Sequence, residues 1–316
     1  MKSLKLMKRW LNMLTGKSVF HVKQGVGKYY SLNDIKGYYN DLTNKVCGDT
    51  MLDDNGIPIN ITISNIKTYF PITIFQYGLG LYDLYLETSK ENYIESFMCI
   101  VEWAMEHIET NGMWKCMECV HDTAHDTQSA MCQSEGASVL LRAYVYTKEK
   151  KYFDKAKLAI DFMLQDTNKG GCTNVVNERL FLQEYVSDAN LSVLNGWIFS
   201  IFGLLDLTLV LDDETYKNAL SNTLDALCDS LEEYDRGFWS SYDLKGTIAS
   251  PAYHDLHIMQ LELLYTIFKN DNLKVYSEKW RKYQNNKCYK TIAMLVKLKQ
   301  KVLPSKYYDI NTSLVK

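Results

Sequence analysis

The sequence predicts an all-α fold, an α/α barrel of about four helical hairpins with short β-hairpins in the loops at one mouth. Three observations lead there. Proline (4) and glycine (16) make only 20 of 316 residues, half the roughly 12% of an average globular chain, so helices run long. One pattern recurs four times: an apolar stretch, a short polar turn, a tyrosine and an amphipathic stretch. The tyrosines are Tyr93, Tyr152, Tyr216 and Tyr276, at intervals of 59, 64 and 60 residues, and they read as packing residues. Within each unit one stretch is nearly all apolar and the other half polar, and a helix apolar all round is buried behind one with a polar face.

In chain order, residues 1–68 form a partly helical arm. Leu4, Met7, Leu11 and Leu14 recur at helical spacing with Lys2, Lys8, Arg9 and Lys17 elsewhere, so the arm packs on the barrel or on an anionic membrane surface. Residues 69–290 form the barrel, and 291–316 a terminal helix and tail. The apolar run Val193 to Leu211 contains Asn195 and Asp206, which marks a buried core helix rather than a membrane span. Turns from inner to outer helix are short. The returns, Thr110 to Thr127, Thr167 to Asn190 and Tyr234 to Ala252, are long and must emerge at one end, where binding and catalysis concentrate. Two of them contain alternating runs, VVNERLFLQEY and GFWSSYDL, that read as β-hairpins.

Composition narrows the partners. A net charge of −3 without a basic stripe excludes nucleic acid. Eight cysteines without a secretory leader, whose apolar core Lys5, Lys8 and Arg9 would interrupt, read as reduced thiols of a cytoplasmic protein. Residues 1–17 could touch the inner face of the membrane, and dimerisation stays open.

The loops hold the candidate chemistry. Cys116, Cys119, His121 and His125 form a C-x2-C-x-H-x3-H string, too tight for a usual zinc module, so no metal is assigned. His254 and His257, at i and i+3, fit pocket hydrogen bonds better than chelation. Glu184 and Tyr185 end the second loop. Tyr242, Asp243 and Lys245 sit in the third, and Tyr253 and His254 close it. Tyrosines, a carboxylate and a cation at one mouth suit proton transfer on an acidic or sugar-like ligand.

At these residues the chain resembles the C-terminal catalytic domain of the D-glucuronyl C5-epimerases, which convert glucuronate to iduronate within heparosan-type polysaccharides. The likeness runs from Tyr69 to Tyr283 through YFPITIFQYGLGLY, QSAMCQSEGASVLLRAY, QEY followed at a kept spacing by VLNGWIFSIFGLLDL, SSYDLK and YHDLHIMQLELL. The resemblance implies an α/α-barrel isomerase without a cofactor. Its reaction removes a proton alpha to a carboxylate on one face and returns one on the other. The family's pattern places the catalytic groups at Tyr185, Tyr242, Tyr253 and Glu184. Glu184 with Tyr253, or Tyr185 with Tyr253, would exchange the proton. Tyr185 and Tyr242 would hold the substrate carboxylate and Lys245, where the family has arginine, would supply charge. Asn195, His254, His257, Gln76, Tyr77 and Gln133 would line the groove. A polysaccharide lyase forming the same carbanion and a non-catalytic glycan-binding module are the competing readings.

Overall fold

Four helical hairpins follow one another in the computed structural model, which describes residues 8, 10–13, 23–61, 66–116, 128–188 and 191–302. They are α1 (Pro71–Thr88) with α2 (Glu91–His107), α3 (Ala130–Thr147) with α4 (Lys150–Leu164), α5 (Leu194–Val210) with α6 (Glu214–Ser230), and α7 (Pro251–Phe268) with α8 (Asp271–Asn285). The odd-numbered helices are inner: every residue of α3 from Ala130 to Ala143, and of α5 from Leu194 to Leu207, is buried. The even-numbered ones bury a single stripe, as α4 does with Tyr152, Ala156, Ala159, Ile160 and Met163. Each inner helix packs on the next, α1 on α3, α3 on α5 and α5 on α7. The fold is all-α and of the α/α-barrel type. Among the described residues no helix is long and apolar enough to cross a membrane.

The repeat has a contact to match it. Tyr152 donates its hydroxyl to Glu102 on α2 at 2.9 Å, and Tyr216 donates to Asp161 on α4 at 2.5 Å, so the start of one outer helix is tied to the end of the previous one. Tyr93, Tyr152 and Tyr216 each stand third in their helix, whereas Leu273 holds that position in α8. Tyr276 lies one turn on and packs edge-on against Trp280, so it is not a register mark.

The arm reaches both ends of the series. Strand Gly25–Val26 packs on α7, and the single-turn helix Thr43–Cys47 packs on α1. The Leu42 carbonyl comes so close to α1 that a Cβ on Gly80 would meet it at 2.5 Å. A buried ionic cluster fastens the arm toward the C-terminal ends of the inner helices. The Arg142 guanidinium donates to Asp206 at 2.6 Å and to the Gly37 carbonyl at 2.9 Å, while Asp83 accepts from the Tyr38 amide at 2.9 Å. Most of the lysine-bearing segment before residue 18 lies outside the described residues.

The long returns all leave from the end at which the inner helices begin. The second contains the expected hairpin, Thr173–Val176 against Arg179–Leu182, turning at Asn177 and Glu178, both at positive φ. The third is not a two-stranded hairpin: it holds only the isolated bridges Asp235 to Ser240 and Ser241 to Ile248. The alternation there has another cause, because the Ser240 amide is spent on the His254 ring and Trp239 lies flat on that ring. The terminal helix α9 (Lys287–Val302) begins earlier than expected and braces this loop. Gln300 bonds both the Gly246 carbonyl and the Ile248 amide, at 2.9 and 3.1 Å.

Arg142 and Asp206 are both almost wholly out of water, so removing one partner strands the other charge. Arg142→Met should lower the unfolding free energy by roughly 3–5 kcal/mol in urea titrations, and adding Asp206→Leu should recover most of the loss.

Candidate active site

Two backbone bonds bring the second and third returns to one place. After the hairpin, the Gln183 carbonyl accepts from the Ala130 amide at 2.8 Å, which delivers Glu184 to the start of α3. The Tyr242 carbonyl accepts from the Leu194 amide at 3.0 Å, which pins the third loop to the start of α5. In that loop the Asp243 carboxylate takes the Thr247 amide at 3.0 Å and its hydroxyl at 2.5 Å, holding a tight turn around Gly246. Tyr253 stands in the first turn of α7, behind Pro251 and the Ser250 cap.

Glu184 lies against the first turn of α5. A Cβ added to Gly196 would fall 2.2 Å from its Oε2, so the carboxyl can occupy this position only because residue 196 is glycine. The carboxyl is buried, and burial pushes it up to about 7 against the opposing pull of the neighbouring Tyr185 hydroxyl. The Tyr242 hydroxyl in turn neighbours that of Tyr185. Burial first, then the Glu184 charge, holds both phenols well above the usual tyrosine value, so they stay protonated and act as donors. The Tyr242 and Tyr253 rings meet at 5.0 Å. Oε2 of Glu184 and Oδ1 of Asn195, one residue before Gly196, have no protein partner although both are buried.

The other expected site residues are placed differently. Lys245 is ion-paired with Asp188, so its charge is already matched. His254 is stacked on Trp239 at 3.7 Å between ring centroids. Its Nδ1 accepts from the Ser240 amide at 3.2 Å and its Nε2 faces the Trp280 carbonyl, also at 3.2 Å. His257 Nδ1 reaches the same Ser240 hydroxyl at 3.0 Å. Burial lowers both imidazoles, His257 to about 3, so neither brings positive charge at neutral pH. Gln133 clamps the backbone of Trp114, accepting from its amide at 3.0 Å and donating to its carbonyl at 3.1 Å, and thus anchors the first return. Tyr77 lies toward Cys47 and Tyr93, on the outer side of α1. Gln76 faces inward and donates to Glu135 at 2.9 Å.

Glu135 was missed in the sequence, as was Lys45. Burial, and then the Glu184 charge, push the Glu135 carboxyl up to about 8 against the opposing pull of Gln76 and Lys45. Its signal was the one carboxylate of α3; Lys45, on the arm, had no local signal. Of the C-x2-C-x-H-x3-H string only Cys116 falls within the described residues. It is buried beside Cys132. Among the described residues no three metal-ligating side chains gather.

Glu184 keeps its proton to about pH 7 when folded, against 4.5 ordinarily, so the folded chain binds the extra proton in between. Its contribution to stability is therefore full below the ordinary value and is lost as pH rises to about 7. Glu184→Gln should raise the unfolding free energy by about 3 kcal/mol at pH 8 and leave it unchanged at pH 4, as read by urea denaturation. An equal effect at both pH values would contradict the buried placement.

Comparison with known proteins adds the lineage. The profile of the D-glucuronyl C5-epimerase C-terminus matches residues 108–282. The D-glucuronyl C5-epimerase of Caenorhabditis elegans is 26% identical over 225 residues, 63% of this chain and 36% of that protein. An uncharacterised protein of Methanocaldococcus jannaschii is 28% identical over 158 residues, 49% of this chain and 51% of the other. The chain thus spans about a third of one relative and half of the other. Two solved structures share the fold. Cellobiose 2-epimerase from Spirochaeta thermophila matches with a TM-score of 0.51 at 7% identity, over 80% of this chain and 63% of that one. A D-mannose isomerase matches with a TM-score of 0.51 at 12% identity, over 94% and 97%. With more than half of its length matched, and with the loops that gather Glu184, Tyr185, Tyr242 and Tyr253 inside the match, the chain belongs to the D-glucuronyl C5-epimerase C-terminal family.

Proposed function

We propose that this protein is a uronyl C5-epimerase that converts D-glucuronate to L-iduronate residues within a polysaccharide. The observation that carries the reading is a buried carboxyl poised near neutrality, Glu184, set beside Tyr185, Tyr242 and Tyr253 at the mouth. The substrate proton lies alpha to a carboxylate, so its removal needs a base of matched pKa and donors for the charge that develops. Glu184 is that base. Tyr185 and Tyr242, kept protonated, are the donors, which favours Glu184 with Tyr253 over Tyr185 with Tyr253 as the exchanging pair.

The step balances. The Glu184 carboxylate takes H5, the C–H electron pair moves into the substrate carboxylate as an enolate, and the Tyr253 phenol returns a proton to C5 from the other face. Glu184 ends protonated and Tyr253 as phenolate, and exchange with solvent resets both. The four inner helices all begin at this end, and their positive ends favour an anionic chain.

Incubation with heparosan in heavy water should place deuterium at C5 and produce iduronate signals in the NMR spectrum. Unsaturated chain ends would show a lyase instead, and binding with an unchanged spectrum would show a glycan-binding module. Tyr253→Phe should abolish the exchange, and an active mutant would remove Tyr253 from the pair.

A further inference from the structure

Buried polar groups without protein partners lie on the inner helices α3, α5 and α7 and on the loop before α5. They are Glu135 Oε2 on α3, Asn195 Oδ1 on α5, His257 Nε2 and both amide atoms of Gln260 on α7, together with Glu184 Oε2. Buried polar atoms are paired in about nine cases of ten, so each of these is a place where a polar ligand gains a bond. Glu135 is the most constrained member. It is wholly buried, Gln76 holds its Oε1 at 2.9 Å, and Oε2 is free. Lys45, on the single-turn helix seated against α1, is near enough for the two charges to act on each other. Lys45 is mostly buried, yet its ammonium makes no hydrogen bond or ion pair among the described residues.

We propose that Glu135 and Lys45 form the recess that takes the substrate's uronate carboxylate, Glu135 as a protonated acid donating from Oε2 and Lys45 as the cation. The proposal rests on the epimerase reading and deepens it. An enolate formed from a carboxylate carries two negative charges, and the lysine expected to offset them, Lys245, is already paired with Asp188. An ionised Glu135 would repel a uronate, whereas a neutral one donates to it and leaves Lys45 unmatched until substrate arrives. The charged and titratable groups that face Glu135 are Lys45, Glu184 and Tyr38, from the arm and from the loop before α5. Burial, followed by the Glu184 charge, keeps its proton on to about pH 8. Burial lowers the Lys45 ammonium, and the Glu135 charge opposes this.

The full chain, carrying glutamate labelled with 13C at the side-chain carboxyl, tests this directly, with the Glu135 resonance assigned by its loss in Glu135→Gln. It should be that of a neutral acid at pH 7, titrate near pH 8, and move on addition of D-glucuronate but not of D-glucose. Lys45→Met should weaken the glucuronate response at least tenfold, and Lys45→Arg should keep it. On polymer, exchange should rise as Glu184 loses its proton near pH 7 and fall as Glu135 does near pH 8. Glu135→Gln keeps a donor that cannot ionise and should move the falling limb to higher pH, while Glu135→Leu should lose roughly 10²-fold in rate. A Glu135 ionised at pH 6, or one indifferent to glucuronate, overturns the recess even where C5 exchange proceeds. A resonance that answers glucuronate without deuterium entering the polymer leaves the recess standing and sinks the epimerase reading.

Discussion

The approach of the Glu184 carboxyl to the backbone of Gly196 is the contact around which the active end is built. It requires a strand to deliver Glu184, a helix start bare of side chain to receive it, and a second loop to cover it. The hairpin supplies the first through the bond from Ala130 to Gln183, and the loop around Asp243 supplies the last through the bond from Leu194 to Tyr242. Two inner helices and two returns are therefore fixed relative to one another by a handful of bonds at a single point. The terminal helix, through Gln300, holds that loop from outside.

Buried polar groups run the length of the inner helices, and their charges are matched differently at the two ends. At the far end Arg142, Asp206 and the Gly37 carbonyl satisfy one another, so charge there is matched and serves to lock the arm. Unpartnered buried atoms occur on Glu135, Glu184, Asn195, His257 and Gln260, as they do on Arg142, Ser138, Tyr38 and Tyr39 at the far end. Groups left without partners in a buried place cost stability, which a ligand able to pair them would offset. The arm takes part at both levels, through Gly37 in the lock and through Lys45 near Glu135.

Much of this was legible in the sequence because it was local. Low proline and glycine content and the alternation of apolar with amphipathic stretches correspond to α1 through α8, and VVNERLFLQEY is a hairpin. The tyrosine spacing marks true register in Tyr152 and Tyr216, whose hydroxyls reach carboxylates one hairpin away. Tyr276 mimics the interval without the position, since spacing along the chain does not distinguish neighbouring turns of a helix. The gathering of Glu184, Tyr185, Tyr242 and Tyr253 followed from family motifs. What escaped was decided by contacts across the chain. Asp188 claims Lys245, Trp239 and Ser240 claim His254, Trp114 claims Gln133, and Lys45 approaches Glu135 from ninety residues upstream.

The account stands on Glu184 being a buried base poised near neutrality, and the titration of its own carboxyl by 13C NMR measures that without reference to any substrate. The midpoint should fall near pH 7, displaced upward by burial against the Gly196 backbone. A midpoint in the ordinary glutamate range, near ~4.3, would contradict it, because the carboxyl would then be solvated or ion-paired and not poised to take a proton from carbon.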